Sequence, residues 1–174
     1  MLRLVVFIVV SVPIVLFSWP SLRNRHSHGF FRFFSFEGLL VIVITNADRW
    51  FQDPLATNQI VSWILLCCSL LLAVHGFYLL HVIGRPEGNF ENTTRLVIVG
   101  AYKYIRHPLY SSLVFFTWGV FCKDLTLLGV LLSAITSVFL YATAKAEESE
   151  NLTKFGSEYA DYMGSTKMFI PFMF

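Results

Sequence analysis

The sequence predicts an all-α integral membrane protein with about five transmembrane helices. Three observations carry that expectation. Hydrophobic residues make up 56% of the 174 positions and aromatic residues 17%, while charged residues make up only 14%. A soluble domain carries roughly 25% charged residues. The apolar residues also come in long blocks, which excludes a disordered chain. Inside a bilayer such blocks must be helices, because no water is there to satisfy the backbone. Finally, the basic residues fall unevenly between the connecting segments.

The first block covers about 2–19, behind Arg3. It ends in bulky Phe17-Ser18-Trp19-Pro20 rather than a small-x-small cleavage pattern, so it reads as a retained span. Pro13 is expected to kink it. The second block, 33–47, contains Glu37, which lies within pairing reach of Arg32. The third, 59–83, is the cleanest and is long enough to cross a hydrocarbon core of about 30 Å. The fourth and fifth, 109–122 and 125–144, form a tight hairpin around Lys123-Asp124. The fourth reaches only about 21 Å at 1.5 Å per residue, so the bilayer must adapt to it or it must start below the surface. A tail helix follows at 145–163, where Leu152, Phe155, Tyr159 and Tyr162 recur at helical spacing and Gly156 interrupts. The whole chain, 1–174, reads as a single membrane domain.

Five spans place segments 20–32 and 84–108 on the same side as the C-terminus. Arg23, Arg25, Arg32, Arg85, Arg95, Lys103, Arg106, Lys145, Lys154 and Lys167 lie there, ten against the three of Arg3, Arg49 and Lys123. By the positive-inside rule that side is cytosolic and the N-terminus is outside.

Several function classes drop out. No basic cluster interleaved with aromatics suggests a nucleic-acid surface. Cys67, Cys68 and Cys122 lie in apolar runs without ligand spacing, and His75 and His81 are six residues apart on one helix. No metal site is expected.

The polar residues of the cytosolic side gather at Gly100 to Tyr110 and at Glu147-Glu148. Antiparallel packing of the fourth and fifth helices brings these two stretches to one corner. Pro108 suits a first helical turn, and the free amides there attract an anion. Arg106 and His107 add donors, Glu147 and Glu148 offer charge for an amine, and Tyr102 and Tyr110 supply aromatic faces and hydroxyls. A zwitterionic amino acid carrying a ring system fits such a corner. S-adenosylmethionine is one, with a sulfonium that aromatic faces can hold. The same residues also suit a plain interface: Arg106 and Lys103 reaching headgroups, and the tyrosines forming a belt.

Leu96-Val97-Ile98-Val99-Gly100-Ala101-Tyr102 and Arg106-His107-Pro108-Leu109-Tyr110, followed by Glu147-Glu148, Phe155-Gly156-Ser157-Glu158-Tyr159, Tyr162 and Pro171, resemble the signature of the isoprenylcysteine carboxyl methyltransferase family. The resemblance covers roughly 94–171, and its prokaryotic-type members are compact. It implies helices around a cytosolic S-adenosylmethionine pocket closed by the tail, with S-adenosylhomocysteine as product. It implies cofactor contacts at Thr94, Arg95, Leu96, Val97, Tyr102, Arg106, His107, Pro108, Leu109, Tyr110 and Glu147. It also implies a lipophilic or small-molecule acceptor arriving from the lipid bilayer. A carboxylate acceptor needs no base, whereas an amine or thiol would use His107, Tyr110 or Glu148. The chain departs from the family at Thr94, where eukaryotic members carry His, and at Thr143, where members commonly carry an Arg implicated in substrate contact. Carboxyl O-methylation of an isoprenylcysteine-type substrate is the leading expectation. Phospholipid N-methylation and thiol S-methylation are alternatives. An NADPH-dependent reductase of the sterol-reductase type and a non-enzymatic membrane subunit are readings from other classes.

Overall fold

Helices account for nearly all the regular structure, and their order explains how distant polar residues meet. The computed structural model describes residues 1–88 and 92–171. Six α-helices follow in chain order: α1 (Leu2–Leu22), α2 (His28–Thr45), α3 (Thr57–Val82), α4 (Pro108–Phe121), α5 (Leu127–Phe155) and α6 (Ser157–Ser165). Among the described residues, α1, α2, α3 and α5 are long and apolar enough to cross a membrane, and α4 is apolar but shorter. The chain is a multi-pass membrane protein by this criterion. Pro13 and Pro20 both lie inside α1.

Two helix pairs form the bundle, α3 on α4 and α2 on α5, with α1 leaning on α2 and α4 joining α5. Small and hydroxyl-bearing residues let the backbones come close, as lipid-embedded helices require. Ser62 Oγ donates to Gly119 O at 2.6 Å and Ser69 Oγ to Ser112 O at 2.7 Å across the α3–α4 seam. A Cβ at Gly38 would collide with Thr136 Oγ1 where α2 crosses α5. Most outward apolar residues of α1 and α3 stay exposed, as lipid-facing surfaces do.

The fifth hydrophobic block and the first part of the predicted tail helix form one continuous helix. The helix does not stop near 144 but runs unbroken to Phe155. Its 29 residues rise about 43 Å, well beyond a core of about 30 Å, so the helix is longer than the hydrocarbon it can cross. Lys, Ala and Glu are good helix formers, so charge alone does not end a helix. The predicted tail helix therefore divides between the end of α5 and α6. The break is at Gly156, whose φ of 59° and ψ of −131° suit glycine alone.

Beyond α6 the chain turns extended and lies beside the approach to α4. Arg106 N donates to Lys167 O at 2.8 Å, His107 N to Met168 O at 3.2 Å, and Lys167 N to Tyr104 O at 3.1 Å. Ser111 Oγ adds a bond to Phe169 O at 2.9 Å. Charged pairs sit at the two ends of the bundle. Arg3–Asp48 and Arg49–Asp124 mark one end, and His28–Glu150 and Arg106–Glu148 the other.

Candidate active site

Pro108 opens α4 with His107 as its N-cap residue, so the Arg106-His107-Pro108 run sits at a helix start. The last turns of α5 pass beside it and bring Glu147 and Glu148 into contact. Tyr110 Oη donates to Glu147 Oε2 at 2.5 Å. Arg106 Nε meets Glu148 Oε1 at 2.7 Å, and Lys145 Nζ meets Glu148 Oε2 at 3.0 Å. The Arg106 guanidinium also donates to Met163 O at 3.2 Å and Thr166 O at 2.5 Å, tying the tail to the corner. Tyr162 Oη donates to Tyr102 O at 2.7 Å and closes the same circle.

A cavity of about 690 Å³ opens at this corner, within the roughly 300–1,000 Å³ typical of small-molecule sites. Leu96, Val97, Tyr102, Arg106, His107, Leu109, Tyr110 and Glu147 line it. His81 lines it too. Thr94 and Arg95 do not. Thr94 Oγ1 donates to Arg85 O at 2.9 Å, and the amides of Thr94 and Arg95 both donate to Gly84 O, so these residues build the turn rather than the wall. Pro108 is fully buried behind the wall. Glu148 also stands behind it, engaged by Arg106 and Lys145.

Several wall residues carried no site signal in the sequence. Arg32 and Phe36 come from α2, and Ala73, Val74, Phe77 and Tyr78 from α3. Asn151 comes from α5, whereas Phe155, Tyr159 and Tyr162, which also line the wall, belong to the tail part of the signature already seen in the sequence. Asn151 is four residues after Glu147 and so shares its helix face, a spacing that could have marked it. Glu37, for which the sequence offers either a reach to the interface or a pairing with Arg32, accepts from Ser11 Oγ at 2.7 Å.

Electrostatics separates the two glutamates. Burial pushes the Glu148 carboxyl up, but His107, Arg106 and Lys145 outweigh it and bring it from 4.5 to about 2. Glu148 is therefore a permanent carboxylate at neutral pH. Its oxygen lies 3.6 Å from His107 Nε2, longer than a full hydrogen bond. That buried nitrogen has no hydrogen-bond partner among the described residues. Burial raises the phenols of Tyr102, Tyr159 and Tyr162, which stay protonated donors.

The profile of the phospholipid methyltransferase family matches residues 57–169, which include α3, α4, α5, α6 and most of the cavity wall. The chain belongs to the phospholipid methyltransferase family. The resemblance seen at Arg106 to Tyr110 and at Glu147 to Tyr162 leads to the same place. This chain is 27% identical over 127 residues to methanethiol S-methyltransferase 1 of Bradyrhizobium diazoefficiens, covering 69% of this chain and 44% of that protein. It is 26% identical over 115 residues to the methanethiol S-methyltransferase of Crocosphaera subtropica, covering 65% and 44%. It is 25% identical over 153 residues to the nickel-cobalt-cadmium resistance protein NccN of Alcaligenes xylosoxydans xylosoxydans, covering 87% and 67%. The chain thus spans less than half the length of the two methanethiol S-methyltransferases. Among the described residues no group of three His, Cys, Asp or Glu side chains is placed to hold a metal ion.

Proposed function

We propose that this protein is an S-adenosylmethionine-dependent methyltransferase that methylates the sulfur of a small or lipophilic thiol at the membrane. The observation that carries the reading is the joining of Tyr110 to Glu147 in the wall of the cavity beside His107. It combines a carboxylate for an amine, a buried ring nitrogen without a hydrogen-bond partner, and four buried tyrosines, Tyr102, Tyr110, Tyr159 and Tyr162. That donor set fits a zwitterion with a ring system. Leu96, Val97, Tyr102, Arg106, His107, Leu109, Tyr110 and Glu147 would hold it. S-adenosylmethionine supplies an electrophilic methyl group on a sulfonium, which a sulfur nucleophile takes in one displacement, leaving S-adenosylhomocysteine.

The chain's own residues account for the rest. Glu147, fixed by Tyr110, orients the amine end. The aromatic walls exclude water, which strengthens every polar contact inside. A thiol must lose its proton before it attacks. His107, whose ring lines the cavity, takes that proton, and the carboxylate of Glu148, 3.6 Å from its Nε2, stabilises the imidazolium. Glu148 thus acts through His107 and Arg106 rather than as the base.

The thiol acceptor is supported by the two methanethiol S-methyltransferases among the relatives. Thr143, at the position of the substrate-contacting Arg in the isoprenylcysteine enzymes, is fully buried and donates to Phe139 O at 2.7 Å, which argues against that substrate. Val74, Phe77 and Tyr78 both line the cavity and face outward from α3, so the acceptor reaches it from the bilayer. The excess of basic residues at this end makes it cytosolic, with the N-terminus outside. The test is methylation of octanethiol by purified protein with methyl-labelled S-adenosylmethionine. Labelled methyl octyl sulfide is expected, and label in phospholipid instead would sink the thiol assignment.

A further inference from the structure

His75 takes no part in the mechanism above and does not line the cavity. It lies on an exposed face of the membrane-spanning helix α3, seven residues before Val82 and so about 10 Å inside the helix end. An ionisable side chain at such a place is costly unless its polar atoms are engaged, and it points to a function. The engagement is visible: His75 Nε2 accepts a hydrogen bond from Ala101 N at 3.3 Å.

Ala101 stands near the start of a short 3-10 turn, Gly100–Lys103. The first amides of a turn have no carbonyl within it to reach. This turn lies alongside α3 below its end, where backbone groups must be satisfied by the protein itself. The fit is close. Gly100 has a φ of 60°, and a Cβ there would stand 2.6 Å from His75 Nε2 and 2.7 Å from Leu79 Cδ1. The next residue after Ala101 is Tyr102, 6% exposed and part of the cavity wall. Tyr102 packs with Leu79 and Val97, and its carbonyl accepts from Tyr162 Oη at 2.7 Å. The tyrosine is thus fixed from α3 on one side and from α6 on the other. A ring nitrogen that accepts carries no proton, so His75 has its proton on Nδ1.

We propose that His75 is a positioning residue for the cofactor site: its bare Nε2 holds the Gly100–Lys103 turn against α3 and so sets Tyr102 in the cavity wall. This rests on the methyltransferase reading for what the cavity binds, but not for the hydrogen bond or its tautomer. Glutamine can replace the imidazole, because its Oε1 accepts from about the place of Nε2. Leucine cannot.

The experiment compares wild type, His75→Leu and His75→Gln as purified full chains. Heavy-nitrogen labelling of histidine reads the tautomer by magnetic resonance, with the His75 signals assigned by their loss in His75→Gln. Wild type is expected to carry a proton on Nδ1 and none on Nε2. In calorimetry His75→Leu is expected to bind S-adenosylhomocysteine at least tenfold more weakly than wild type, and His75→Gln within threefold of it. With octanethiol as acceptor, the loss in His75→Leu falls on KM for S-adenosylmethionine and leaves kcat within twofold. A variant that is merely unfolded in part would lose kcat and keep its KM. A proton on Nε2, wild-type affinity in His75→Leu, a His75→Gln as weak as His75→Leu, or a loss in kcat alone overturns the proposal. If His75→Leu does not fold, the tautomer and the affinity of His75→Gln still decide it. Wild type with a bare Nε2 that binds no S-adenosylhomocysteine would remove the methyltransferase reading and leave the hold on the turn standing.

Discussion

The two ends of α4 carry buried cations of different kinds. At its start, Arg106 pairs with Glu148 beside a cavity. Just past its end, Lys123 is 2% exposed, donates to Gln59 Oε1 at 3.0 Å and lies 3.5 Å from the centre of the Trp63 ring. Gln59 Nε2 returns a bond to Lys123 O at 3.0 Å, and Asn58 Nδ2 reaches Cys122 O at 3.0 Å. This second cluster fastens the α4–α5 turn to α3 and lines neither described cavity. Buried polarity alone therefore does not mark a site. The difference lies in access: the first cluster stands at a cavity lined by Arg106, His107, Tyr110 and Glu147, whereas the second lines neither described cavity.

Substitutions that separate the two ends test that distinction. Glu147→Ala should have the largest effect, weakening S-adenosylhomocysteine binding at least a hundredfold in calorimetry while the protein still inserts and folds. Glu148→Gln should act first on stability. Breaking a buried pair costs about 3–5 kcal/mol, and with it goes the hold on Arg106 and the tail. The pH dependence has a definite sign. Because the Glu148 pKa is depressed in the folded protein, its contribution is complete above about 4.5 and is lost as pH falls toward about 2. Thermal unfolding of wild type should therefore steepen in that window, and that of Glu148→Gln should not. Tyr110→Phe removes one hydrogen bond to a carboxylate, which is worth about 1.5–3 kcal/mol. Roughly tenfold weaker S-adenosylhomocysteine binding is expected. Lys123→Met should lower the melting temperature yet leave that affinity within twofold. A comparable loss of affinity in Lys123→Met would erase the contrast between the two ends.

Much of the bundle was legible because hydropathy blocks and helices coincide in a membrane. Thr57–Val82 and Pro108–Phe121 fall within two residues of their predicted bounds. That α5 joins the fifth hydrophobic block to the start of the tail helix was not legible, because polar residues end the block without ending the helix. The extended stretch at Lys167 and Met168 carried no local signal, since its bonds are made to residues about sixty positions earlier. At the site, Arg106, His107, Tyr110 and Glu147 were readable from their chemistry and from the hairpin that joins them. Arg32 and Phe36 were not, because only the packing of α2 on α5 brings them to the cavity wall. Thr94 and Arg95 were singled out by resemblance alone, and their backbone bonds to Gly84 explain why they stand off the wall.

The most direct test is a calorimetric titration of the purified full chain with S-adenosylhomocysteine and, separately, with NADPH. Saturable one-to-one binding of S-adenosylhomocysteine that Glu147→Ala abolishes, with no heat from NADPH, is the predicted result. Binding of NADPH alone, or of neither ligand, would contradict the account.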